Sequence, residues 1–177
     1  EFAAKIGFTK LIKKKFKTND KSIRFHKDHE NLLQMIYQII SAYFQDDCAD
    51  ELTLDPVFNV ILDKESLASQ PTLSRFFNRM DEDTLVQFDD IDKNLRDIIY
   101  SIKCPEHVLL DLDSTLFGTY GRQEGEGFNF HYQAHGYHPL LCYDGLTGDL
   151  IKAELRDGTL YCSNGADKFM ESIFQEY

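Results

Sequence analysis

The sequence predicts an α+β protein, helical over residues 1–103 and strand-rich over residues 104–177. Three observations carry that division. Apolar residues recur at helical spacing as far as Ile98 and Ile99, as amphipathic helices require. Past Cys104-Pro105 the pattern changes to short apolar runs separated by Gly-containing turns. A helical period returns after Gly165, with Phe169, Ile173 and Phe174 on one side.

In chain order, residues 3–6 read as the tail of a helix, with Gly7 just past its end. Thr9 is expected to cap the next helix, which carries Leu11, Ile12 and Phe16 on one side and lysines on the other. A polar connection over 18–24 leads to the strongest helix, about residues 27–44, the expected spine of the helical part. Leu32, Leu33, Ile36, Ile39, Ile40 and Tyr43 fall at its inward spacing. Asp28 and Glu30 sit in its first turn, where negative charge suits the helix dipole. Asp55-Pro56 is a cap followed by proline at the first helical position, opening a helix through Leu62 with Val57, Val60 and Ile61. Ser69 or Gln70 before Pro71 opens another. These two short helices read as a helix-turn-helix or as an ordinary helical hairpin. The former would place Ser74, Arg75, Asn78 and Arg79 on phosphates or bases. Asp81 then caps a helix to about Ser101 with Leu85, Phe88, Ile91, Leu95, Ile98 and Ile99 inward.

The second part opens on Val108-Leu109-Leu110-Asp111-Leu112-Asp113-Ser114-Thr115-Leu116, expected to be a buried strand of a parallel or mixed sheet. Side chains alternate along a strand, so Asp111 and Asp113 share a face. Two like charges that close need compensation, from a divalent metal, a basic partner or a phosphate-transfer reaction. The Gly-rich stretch 118–127 has no phosphate-cradling pattern and precedes no helix. Residues 136–143 read as one strand, 144–148 as a turn and 149–155 as its antiparallel partner. His131, His135, His138 and Cys142 match no usual zinc spacing, and their aromatic neighbours suit substrate contact or packing. His26 and His29, three apart with no third ligand nearby, read as a surface pair.

Composition excludes several classes. With 42% hydrophobic residues and 14 Phe among 177 residues, the chain is not disordered. No apolar run approaches the ~20 residues of a membrane helix, and no signal peptide opens the chain. Four scattered cysteines without a CxxC pair point to reduced thiols and a cytoplasmic location. Glu1-Phe2-Ala3-Ala4 lacks an initiating methionine, so the chain is expected to begin inside a longer reading frame. The net charge is −11, yet residues 1–27 carry +7 and the remainder −18. That basic arm, with Lys13, Lys14, Lys15 and Lys17, suggests an anionic partner, nucleic acid first, or else a solvated helix face.

Two families share the aspartates. Asp111-Leu112-Asp113-Ser114-Thr115-Leu116 resembles the first motif of haloacid dehalogenase-like phosphatases, which would make Asp111 a nucleophile and Asp113 a general acid/base. That resemblance covers about ten residues. Asp113-Ser114-Thr115 and the block 120–149, with Ser69-Gln70-Pro71-Thr72-Leu73-Ser74-Arg75-Phe76 upstream, resemble DDE transposases of bacterial insertion sequences over nearly the whole chain. The resemblance implies a helical N-terminal region followed by the first β-β-β-α part of a ribonuclease H-like domain. It implies cleavage and joining of double-stranded DNA at transposon ends, with two Mg2+ or Mn2+ ions bracketing the scissile phosphate. Asp113 maps onto the first catalytic, metal-binding aspartate. Asp111 has no role in that match and is expected to tune the site from one pleat back. Lys13, Lys14, Lys15, Lys17, Arg75, Asn78 and Arg79 are the expected DNA-binding residues.

The second catalytic aspartate and the glutamate would lie beyond residue 177. The chain is therefore expected to be the N-terminal part of a transposase, inactive alone, with a sheet edge that invites self-association. A DNA-binding module without catalysis is the alternative of a different class.

Overall fold

The computed structural model describes residues 1–177 as two compact units, Glu1–Ile102 and Lys103–Tyr177. The chain is α+β. No helix is long and apolar enough to cross a membrane.

The first unit contains α1 (Phe2–Lys5), α2 (Phe8–Lys15), α3 (Asp28–Ile40), α4 (Cys48–Glu51), α5 (Pro56–Leu62), α6 (Gln70–Phe77) and α7 (Glu82–Ile102). Gly7, at φ 70°, turns the chain between α1 and α2 and itself occupies the cap of α2, the place expected for Thr9. A left-handed residue with no side chain is the easiest way to reverse direction between two helices that close. Asp55 accepts from the amides of Val57 and Phe58, both at 2.9 Å, and Pro56 follows, as the sequence predicts. Asp81 and Thr84 cap α7 reciprocally, Thr84 N–H to Asp81 Oδ1 and Asp81 N–H to Thr84 Oγ1.

The core of this unit is Ile12, Phe16, Leu32, Leu33, Phe76 and Ile91, with Phe16 edge-on to Phe76 at 5.9 Å. Gln34 is buried and binds Ala68 through both amide ends, at 2.8 Å each, tying α3 to the segment before α6.

Two expectations shift here. α3 stops at Ile40 because Ala42 turns left-handed, φ 67°, and the Tyr43 amide bonds back to Gln38 O. Ile39 and Ile40 are consequently exposed, as are Leu85 and Ile99 on α7. On α5 the inward residue is Phe58, while Val57, Val60 and Ile61 face water. α5 and α6 each pack on α3.

The second unit contains β1 (Leu110–Ser114), β2 (Phe117–Gly118), β3 (Gly127–Asn129), β4 (Ala134–Tyr137), β5 (Leu140–Asp144), β6 (Leu150–Glu154) and α8 (Ala166–Phe174). Two antiparallel sheets form, ordered β1-β5-β6 and β2-β4-β3. The single strand expected over 136–143 is two strands in different sheets. Pro139, which has no N–H for a ladder, stands at the break between β4 and β5.

β1 is an antiparallel edge strand with Asp111, Leu112 and Asp113 exposed, not a buried strand of a parallel or mixed sheet. Within the β1-β5-β6 sheet the order strand, hairpin, helix is as expected, but the separate β2-β4-β3 sheet intervenes between β1 and β5. One face of the larger sheet packs Leu140, Cys142 and Ile151 against Phe169 and Ile173 of α8. Lys152 lies over the Phe169 ring and donates to Ser172 Oγ.

Candidate functional site

Register fixes the geometry of the two aspartates. Leu110, Leu112 and Ser114 stand opposite Asp144, Cys142 and Leu140, and belong to the α8 side of the sheet. Asp111 and Asp113 stand opposite Tyr143 and Leu141, and project from the other side. Both are exposed and neither has a cationic partner. The only bond shaping the pair is local: Asp113 Oδ1 accepts the Ser114 amide at 2.8 Å, which limits rotation of the carboxylate. Burial pushes the Cys142 thiol above its ordinary pKa, and the charge of nearby Asp111 adds to that rise.

The end of β1 beside Asp113 is anchored by groups that the sequence left unassigned. Tyr132 donates its hydroxyl to Ser114 O at 2.8 Å, and its ring meets the His138 ring edge-on at 5.5 Å. His138 is fully buried. Its Nδ1 lies 2.7 Å from Leu160 O, an atom that only accepts, so Nδ1 carries a proton, and Nε2 lies 3.9 Å from Cys162 Sγ.

Asn129, also buried, accepts the amides of His131 and Tyr132 on Oδ1 and donates from Nδ2 to Gly158 O. Arg156 is buried without a carboxylate. It donates from Nε to His138 O at 3.0 Å and from Nη1 to Asn164 O at 2.5 Å. Two glycines let the backbones meet around this cluster. A Cβ at Gly158 would lie 1.8 Å from Gly136 O, and one at Gly136 would lie 2.3 Å from Phe117 O. The Gly-rich character of this stretch therefore serves close packing between chain segments. An Asn and a His in a run dense with glycine were the available signal, but their burial depends on partners near residue 160.

The three histidines of this region do not converge. His131 is exposed, His135 is paired with Glu126 at 3.0 Å, and His138 is enclosed as described. Nowhere in the chain do three His, Cys, Asp or Glu side chains gather as a metal cluster. Asp144, Asp149 and Asp157 are turn formers. Asp144 accepts the Leu146 amide, Asp149 the Thr147 hydroxyl, and Asp157 the Thr159 hydroxyl and amide. The Thr159 bonds hold the Asp157 carboxyl below its usual range.

The basic residues divide into free and committed ones. Lys13, Lys14 and Lys17 are exposed on and after α2, as are Arg75 and Asn78 at the end of α6. Lys15 pairs with Asp90 at 3.0 Å. Arg79 is largely enclosed. It pairs with Asp28 at 2.8 Å, donates to Arg75 O and lies over the Phe76 ring. Its partner is 51 residues away in sequence, so no local pattern announces the bond.

No curated protein and no solved structure matches this chain. The family model of transposase DDE domain group 1 matches residues 1–177, from the first helix to the last. A helical unit, an Asp-bearing first strand followed by a hairpin and a helix, and that match over the full length agree: the chain belongs to the transposase DDE domain family.

Proposed function

We propose that this chain takes part in cleaving and joining double-stranded DNA at transposon ends, with Asp113 as its metal-binding carboxylate. The observation that carries the reading is the state of β1. Its two carboxylates share a face, stand in water and lack any cation. Nothing in the packing explains an Asp-Leu-Asp on that face, whereas a divalent ion and a DNA phosphate would.

The donor set fits one hard divalent ion. Mg2+ typically takes one or two carboxylates and completes its shell with water and phosphate oxygens. Asp113 would hold it, with Asp111 one pleat back lowering the local potential. When bound, such an ion polarises a phosphoryl oxygen and makes a bound water more acidic. The protein's own part is to keep the Asp113 carboxylate oriented through the Ser114 amide, and to fix the end of β1 through Tyr132. A second reading, of a different class, is that residues 1–177 bind DNA without cutting it; the exposed Lys13, Lys14 and Lys17 favour it.

Mn2+ titration followed by NMR tests the assignment. Paramagnetic broadening should concentrate on residues 111–115 and vanish in Asp113→Asn. Broadening that survives the substitution, or Mg2+-dependent nicking by residues 1–177 abolished by Asp113→Ala, would each contradict part of the proposal.

A further inference from the structure

In the helical unit an open cleft of about 450 Å³ lies between the loop that follows α2 and the helix α6. Arg24, Phe25, His26, Thr72, Arg75 and Arg79 line it, with Asp20 at its edge. Its guanidinium groups are differently engaged. Arg79 is neutralised by Asp28 in a largely enclosed pair. Arg24 pairs with Asp20 where both are about a third exposed, and such surface pairs exchange partners at small cost. Arg75 has no carboxylate; its only side-chain bond is a long one to Thr72 Oγ1, 3.4 Å. The cleft thus offers one unpaired guanidinium, a second that can change partner, and a hydroxyl beside them.

Phe25 is the odd residue in this setting. It is 68% exposed, yet its position is fixed. Lys64 Nζ sits 5.0 Å from the ring centroid and 3.5 Å from Phe25 O, and His26 abuts the ring edge-on at 4.8 Å. A large aromatic ring left in water among arginines gains free energy only if something apolar covers it. Guanidinium forks for a phosphate, combined with a fixed aromatic face, are the chemistry that recognises a nucleotide. A base inside a duplex has both faces taken by its stacked neighbours, so a nucleotide whose base lies on the Phe25 ring must be unpaired.

We infer that this cleft seats an unpaired nucleotide of a DNA strand, its phosphate on Arg75 and Arg24 and its base against Phe25. The inference rests on the DNA-acting reading above and adds a second contact region, distinct from the lysines of α2 and from β1.

Fluorescence anisotropy with a short labelled single strand and the matching duplex, over a salt series, tests it on the 177-residue chain. Phe25→Ala should weaken single-strand binding about tenfold, the usual worth of one stacked base, and leave duplex binding nearly unchanged. Arg75→Ala should weaken it severalfold and lower the salt slope by about 0.7, one phosphate contact on a single strand. Arg75→Lys should recover the slope but not the full affinity, since the fork is lost. Lys13→Ala with Lys14→Ala should weaken strand and duplex alike.

Strand binding by the unaltered chain that is indifferent to Phe25 and Arg75 substitutions would overturn the cleft and leave the DNA-acting reading standing. Equal competition by polyglutamate, with no effect of Phe25→Ala, would also overturn it, marking a general anion surface. Failure to bind either DNA at low salt would remove both.

Discussion

In the helical unit, Asp28 and Glu30 on the first turn of α3 meet Arg79 and Lys64 at 2.8 Å each. In the β unit, Arg156 is buried against backbone carbonyls alone, and Asp111 and Asp113 meet no cation. The two units therefore handle charge in opposite ways. One matches acids to bases around an apolar core of Ile12, Phe16 and Phe76, so its polar contacts depend on ionisation. The other uses a permanent cation and a buried imidazole to hold chain crossings, and its strand carboxylates stay uncommitted. A carboxylate that the fold does not use is free to bind something else.

The largest expected effect separates the two cores. Phe76→Ala should destabilise the helical unit by about 3–5 kcal/mol, through lost burial and a cavity among Phe16, Leu33 and Ile91. Guanidinium unfolding, with amide signals assigned to each unit, should show the loss in residues 1–102 only. An equal shift in residues 103–177 would mean the units unfold as one, and the contrast would lose its meaning.

Arg156→Met comes next. It keeps the length of the side chain but removes the donors to His138 O and Asn164 O, at a cost of about 2–3 kcal/mol to the β unit. Because arginine does not titrate, that cost should be the same from pH 5 to pH 8. A cost that varied with pH would show that the loss is not confined to those two donors.

The smallest effect is the pH dependence of the helical unit. Burial lowers the pKa of His26, with Lys64 adding to it, and burial likewise lowers that of His29, so both favour the neutral form when folded. The unfolded chain then takes up protons first. Stability is complete above the ordinary value of 6.5 and falls as pH drops below it.

Burial alone would raise Asp28, but bonds from Thr18 and Arg79 outweigh it; Lys64 and the Lys27 amide do the same for Glu30. Their contribution is present above the unfolded carboxylate values and is lost as pH falls through the lower folded ones. The helical unit should therefore soften in two stages on acidification, below pH 6.5 and again below about pH 4. Arg79→Met should diminish the second stage. Melting curves across pH, followed unit by unit, would break the comparison if the β unit softened first.

Local signals were legible in the sequence where the cause is local. Asp55-Pro56 and the residues before Pro71 mark helix starts because a cap and a ring-fixed φ act within one turn. Asp111 and Asp113 could be placed on one face because the strand period is two. The stop of α3 was not legible, since Ala42 takes a left-handed conformation that its residue type does not announce. Nor was the exposure of β1, which depends on the sheet order, or the commitment of Arg79, which depends on Asp28 in another helix. His138 drew notice as a possible ligand; its enclosure comes from Leu160, Cys162 and Arg156, all arriving later in the chain.

The double bond between Gln34 and Ala68 has a consequence of its own. A carboxamide has the donor and acceptor of a peptide unit, so at this point a helix side chain takes the place of a neighbouring strand. The Ala68 amide belongs to a connecting segment, yet it is buried and bonded as a sheet amide would be. Opening that segment means withdrawing Gln34 from the middle of α3. The connection before α6 is thus as firm as the helix it touches, and Thr72 and Arg75, which follow it, stand on a fixed base.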